Sequence, residues 1–253
     1  MGTRRIHLLL ACALTAGTAF SGAHNTVPVP SGDYTPPFQA DGRREKVRVE
    51  SFRMDTRPVT VGEYLEFVRS HPEWRKSKVK RLFADTSYLT SWTDDVKPPP
   101  GNIGNSVTWV SWYAAKEYCG SLGKRLPGTR EWEYAARTIP PGTDSSAYAD
   151  LVLEWYAKPS GSQSSGAGSI NAFGLRDLFG RNWEWTSDFN TEGLSRAEDY
   201  GDREKSLFCG GGGGTTVAER LDYATYMRFA FRSSMKPEFS TASLGFRCAE
   251  DDK

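Results

Sequence analysis

Apolar positions recur along this chain in short runs whose period changes several times. Val47, Val49 and Phe52 alternate with polar residues, the period-two pattern of a strand with one buried face. Thr60-Val61-Gly62-Glu63 then sets a hydroxyl and a carboxylate three residues apart, the spacing of a capping box. Tyr64, Leu65 and Val68 follow on one helical face, and the helix is predicted to stop near His71-Pro72. A second helix is predicted from Ser111, with Trp112, Ala115, Cys119 and Leu122 as its buried stripe and Gly123 just past its end. Pro127-Gly128-Thr129 resets the chain. A third helix runs on through Glu131, Trp132, Ala135 and Ala136, with Thr129 as the expected N-cap. Met227, Phe229 and Phe231 alternate as a strand does, and a last short strand is predicted at Leu244–Cys248.

Between these runs the chain is polar and rich in turn formers. Residues 73–106 carry little period and break at Pro98-Pro99-Pro100-Gly101, and residues 139–170 read as loop. No internal repeat is visible. Sparse, short, mixed elements predict an α+β domain over residues 46–250, preceded by an extended leader at 24–45 that holds Pro28, Pro30, Pro36 and Pro37.

Residues 1–23 read as a secretory signal. Arg4 and Arg5 give a positive start, Leu8 to Leu14 an apolar stretch too short to span a bilayer, and Ser21-Gly22-Ala23 a small-residue cleavage site. An alternative is a lipoprotein, with Cys12 as the lipid-bearing residue. Cleavage after Ala23 leaves 30 basic against 31 acidic residues, where the whole chain has 32 and 31. The expected location is the periplasm or the medium, and no segment predicts a membrane span.

That near-balance of charge argues against a nucleic-acid partner. Aromatics are 13% of the chain with 8 Trp, which fits either a Trp-heavy core or an aromatic cleft. His7, His24 and His71 are the three histidines, so the mature chain cannot build a three-His zinc site. His24, if it becomes the N-terminal residue, could chelate copper through its amine and imidazole. Cys119, Cys209 and Cys248 remain after export, which allows one disulfide and one free thiol; spacing alone does not choose the pair.

Other candidate chemistry is thinner. Gly210 to Gly214 follow Cys209, but no Gly-Lys-Ser/Thr completes a phosphate loop. Asp177, Gly180, Asn182 and Glu184 place two carboxylates about a glycine turn, and calcium wants six to eight such hard oxygens. On spacing alone, an Asp turn and a glutamate paired with an arginine is the plainer reading. Trp183 and Trp185 alternate on an expected strand and line either core or pocket.

At this point a resemblance enters. Gly123-Lys-Arg-Leu-Pro-Gly-Thr-Arg-Glu-Trp-Glu-Tyr-Ala-Ala-Arg137, Asn171 to Trp185, and Leu244-Gly-Phe-Arg-Cys248 resemble three sequence blocks of the formylglycine-generating enzyme (sulfatase-modifying factor) family. Thr56-Arg-Pro-Val-Thr60 and Val110-Ser111-Trp112 resemble two more, in the family's order, so the likeness spans roughly residues 45–250. It implies a C-type-lectin-like α+β fold with little regular structure. It implies a structural calcium at Asp177, Gly180, Asn182 and Glu184, the glycine and asparagine through backbone carbonyls. It also implies a Cys119–Cys248 disulfide, which leaves Cys209 as the free thiol.

One departure bears on function. The family's oxidases bind copper(I) through two cysteines upstream of the final strand. Counting back without gaps puts those positions near Glu219 and Ala224, and neither is cysteine. Copper(I) is then left at most the single soft ligand Cys209. The resemblance places the functional cleft at Cys209–Gly214 and Glu219–Arg228, with Cys209 and Glu219 as the catalytic candidates. The expected function is an exported accessory or maturation factor, or an oxidase with altered chemistry. The alternative is a lectin-like binding module, and sulfatase activation comes third. The expected partner is an exported protein or a small molecule, and the chain is expected to be a monomer.

Overall fold

The computed structural model describes residues 25–36, 45–157, 165–179, 182–190 and 217–252. The signal segment, Cys209 and Gly180 lie outside them. Strand β1 (Thr26–Val29) pairs antiparallel with β4 (Phe52–Asp55), Val29 opposite Phe52, and β4 pairs with β7 (Ala249–Asp251), Met54 opposite Ala249. The first and last described segments thus share one sheet. Residues 26–34, expected as a leader, instead supply β1 and β2 (Gly32–Tyr34), the latter paired with β3 (Val47–Val49). Val29 and Tyr34 are buried there, so this part of the extended leader packs into the domain.

Helix α1 (Val61–Ser70) starts as its sequence dictates. Glu63 N donates to the Thr60 hydroxyl at 3.2 Å, and Thr60 N donates to Glu63 Oε2 at 2.7 Å. Helix α2 (Trp112–Ser121) is capped by Ser111 and buries Ala114, Ala115, Tyr118 and Cys119. Gly123 follows it at φ 69°, the left-handed turn that glycine makes without strain. Helix α3 (Thr129–Ala136) is capped one residue earlier than expected, at Gly128, whose N–H donates to Glu131 Oε2 at 2.6 Å. The Thr129 hydroxyl turns instead to Asp188 Oδ1 and Thr186 Oγ1, each at 2.8 Å.

Two segments differ from their predicted states. Residues 139–170 contain α4 (Ser145–Ala157), which buries Tyr148, Ala149, Val152 and Trp155 at helical spacing. The Met227–Phe231 stretch lies in a long helix, α5 (Val217–Ser233), rather than a strand. Its buried residues include Asp222, Ala224, Thr225, Arg228, Phe229 and Arg232, four of the six polar, a pattern hidden from an apolar-period search. The short parallel pair β5 (Trp183–Glu184) and β6 (Leu244–Gly245) closes the fold. A Cβ on Gly245 would meet Val107 O at 2.5 Å, so only glycine lets β6 cross that backbone so closely.

Candidate functional site

The motif blocks meet in a buried chain of charges. Helix α3 presents Trp132 and Glu133 side by side, 2% and 0% exposed. Glu133 Oε1 accepts from Arg228 Nε at 2.8 Å and Arg232 Nη1 at 3.0 Å, and Oε2 accepts from Arg228 Nη2 at 2.6 Å. The two arginines sit four residues apart on α5, so both reach one carboxylate. Their guanidinium carbons lie 5.3 and 5.0 Å from the Trp132 ring centre, where the π face favours cations. Burial alone would raise the Glu133 pKa. The charge and hydrogen bonds of Arg228, and then of Arg232, outweigh it and hold the carboxyl below its usual range.

Glu184 continues the chain. Its Oε2 accepts from Trp132 Nε1 and Arg247 Nε, and its Oε1 from Arg247 Nη2, all at 2.8 Å. Arg247 also donates to the carbonyls of Asp55 and Arg176. Asp55 accepts from Lys124 Nζ at 2.6 Å and from Cys248 N at 2.9 Å. Cys248 and Cys119 have their sulfurs 2.01 Å apart, across 129 residues of chain. Among the residues that carry the resemblance, Trp132, Glu184 and Arg247 bond one another directly, and Lys124, Glu133 and Cys248 are tied in through Asp55, Arg228 and Arg232. The glutamate paired with an arginine, read from spacing alone, is the Glu184–Arg247 pair.

Of the expected calcium ligands, Asp177, Asn182 and Glu184 are all buried, and Gly180 lies outside the described residues. Asp177 takes φ 56°, a turn conformation that Asp tolerates, and its carboxylate accepts from Gly166 N and from Gly168 N. Asp177 and Glu184 do not complete a calcium shell by themselves. Among the described residues no three His, Cys, Asp or Glu side chains gather to hold a metal. Asn182 is buried, and its Nδ2 has no hydrogen-bond partner among the described residues.

The expected cleft residues fall on α5 or outside the described residues. Glu219 lies in the first turn of α5, its side chain outside the description. Ala224 is fully buried and packs with Tyr148 and Val152 of α4, and Asp222 is held by Arg137. Beside this helix, Trp183 stacks on Phe231 at 4.5 Å and meets Trp155 at 5.4 Å. Trp185 is wholly in the core, with Nε1 donating to Val110 O at 3.0 Å. Reading the sequence missed Arg228, Arg232 and Glu133. Two arginines four apart were the available signal, obscured once their segment was read as a strand.

Comparison with known proteins agrees with this frame. The family model described as the sulfatase-modifying factor enzyme 1-like domain matches residues 14–252. The formylglycine-generating enzyme of Mus musculus is 28% identical, over 94% of this chain and 78% of its own. The inactive C-alpha-formylglycine-generating enzyme 2 of Bos taurus is 27% identical, over 83% and 80%. Among solved structures, PvdO from Pseudomonas aeruginosa covers 90% of this chain and 94% of its own with a TM-score of 0.52 at 17% identity. CarF covers 90% and 98% with a TM-score of 0.50 at 16% identity. These two share the fold, the α+β C-type-lectin-like type with little regular structure. With the matched blocks locked into one buried network, the chain belongs to the sulfatase-modifying factor (formylglycine-generating enzyme) family.

Proposed function

We propose that this chain is an exported accessory or maturation factor of its family whose chemistry does not run on a copper(I)–thiolate pair. The observation that carries the reading is Ala224. It occupies one of the positions where the resemblance expects a cysteine, on a helix face buried against α4. Glu219 occupies the other. Cys119 and Cys248 are joined to each other, so the described residues hold no free thiol for a soft cation. The relative named as an inactive family member supports the same direction.

In this reading the protein's own residues build a rigid frame and present a surface beside α5. Cys209 and Glu219 stay its catalytic candidates: a lone thiol is a nucleophile or a single soft ligand, and a loop-proximal carboxylate is a general acid or base. Calcium at Asp177, Gly180, Asn182 and Glu184 is part of the proposal as a structural ion that ties the second motif block. The Cys119–Cys248 disulfide and the signal segment at 1–23 belong to it as well. A second reading, a lectin-like binding module, is favoured by the half-buried Trp183, stacked on Phe231 at the side of α5. The test is anaerobic copper(I) titration against a competing chelator, with wild type, Cys209→Ser and Glu219→Gln. The proposal expects no tight stoichiometric copper in any of them. One copper per chain, lost in Cys209→Ser, overturns it.

A further inference from the structure

The segment from Arg75 to Leu82 serves none of the roles above. It carries Arg75, Lys76, Lys78, Lys80 and Arg81, with no acidic residue between Glu73 and Asp85. Two turns fix its shape. Val79 N donates to Arg75 O at 2.9 Å, and Phe83 N to Lys80 O at 2.8 Å. Buried Trp74 and Ala84 anchor its ends, and Val79 and Phe83 pack on the core.

Its cations divide into two sets. Arg75 donates to Val68 O at 3.2 Å and Lys76 to Trp92 O at 3.0 Å, so these two brace the loop. Lys78, Lys80 and Arg81 are exposed and make no ion pair among the described residues. The nearby acid Asp95 is held by Ser77, at 2.7 Å from its N–H and 2.6 Å from its hydroxyl. Leu82 follows the three cations with 70% of its surface exposed, the most of any large apolar residue described. Phe83, next in the chain, begins a row of partly buried rings that pack on the core. Phe83 meets Tyr113 at 5.3 Å, Tyr113 meets Trp112 at 5.4 Å, and Lys116 Nζ lies 4.9 Å over the Trp112 ring.

We propose that this loop docks the protein on an anionic phospholipid surface, with Lys78, Lys80 and Arg81 on the headgroups and Leu82 in the acyl boundary. Cations next to an exposed aliphatic side chain are what an anionic bilayer interface selects together. A contact made by charge alone would leave Leu82, 70% exposed after the three cations, unused. The contact is peripheral: no described helix is long and apolar enough to cross a membrane. It is local, because the chain's net charge is only +1. It holds whether or not the copper reading does.

The experiment is vesicle co-sedimentation of the full mature chain with pure phosphatidylcholine and with phosphatidylcholine containing one part in four phosphatidylglycerol. Binding is expected to the anionic vesicles alone and to weaken with salt. Each surface cation near the bilayer contributes roughly fivefold, so a Lys78→Gln, Lys80→Gln, Arg81→Gln variant should lose on the order of 100-fold. Leu82→Ser, with the charge intact, should lose up to about tenfold. Unchanged melting curves check that these exposed variants fold. No binding to anionic vesicles, equal binding to neutral ones, or a triple variant like wild type overturns the proposal. Leu82→Ser like wild type also overturns it, because the contact would then be charge alone with no insertion.

Discussion

Glu133 is the hinge of the buried charge network, and Glu133→Gln tests how much that network holds. Glutamine keeps the shape and one acceptor oxygen but removes the charge. Arg228 and Arg232, 3% and 2% exposed at their side chains, would lose the Glu133 charge that both of them share. Removing one partner of a buried ion pair costs about 3–5 kcal/mol. At roughly 2–4 °C per kcal/mol for a chain of this size, the melting temperature should fall by roughly 6–20 °C. The acid limb should change too. Because the folded-state pKa lies below the ordinary value of 4.5, Glu133 contributes its full stability above that value. That stability drains away as the pH falls through the folded pKa. Glu133→Gln should flatten the wild-type slope below about pH 4.5 while lowering the neutral plateau. Replacing the whole trio, with Glu133→Leu, Arg228→Met and Arg232→Met, should recover most of the loss, since an apolar set has no charge to leave stranded. Urea unfolding followed by Trp fluorescence across pH reads all three proteins. A Glu133→Gln chain within about 1 kcal/mol of wild type at neutral pH, with the same acid slope, would refute the reasoning.

Other expectations follow from single contacts. Non-reducing peptide mapping of exported protein should recover a Cys119–Cys248 peptide, and reduction should lower stability by about 4–5 kcal/mol for so long a closed loop; both thiols free would sink the assignment. Removing divalent cations with a chelator should lower the melting temperature, and Glu184→Ala should abolish that dependence. An unchanged curve would mean that Arg247 alone balances Glu184. Gly245→Ala should cost about 1–3 kcal/mol, because its methyl must push β6 off the Val107 carbonyl; a neutral effect by urea melt would show that this crossing is soft.

The parts of the fold that sequence exposed were those with a local signal. The Thr60/Glu63 capping box and the Ser111 cap name their helices because their hydrogen bonds close within three residues. The motif blocks could be recognised as belonging together, but not what each side chain does there. Glu184 offers hard oxygens by composition, and its Arg247 partner lies 63 residues away. Helix α5 was misread because its buried face carries Asp222, Arg228 and Arg232, whose burial makes sense only once Arg137 and Glu133 are in place. Residues 26–34 were read as leader because proline marks loops, yet Pro28 sits in β1, on the side of β4 away from β7.

The central claim is that this family scaffold works here without a copper–thiolate centre. Its most direct test is turnover: reduced copper(I), oxygen, a reductant and a sulfatase-type cysteine peptide are mixed with the purified mature chain, and the peptide is followed by mass spectrometry. The account predicts no aldehyde above the protein-free control, for wild type and Cys209→Ser alike. Copper-dependent conversion of the peptide cysteine, abolished by Cys209→Ser, would contradict it.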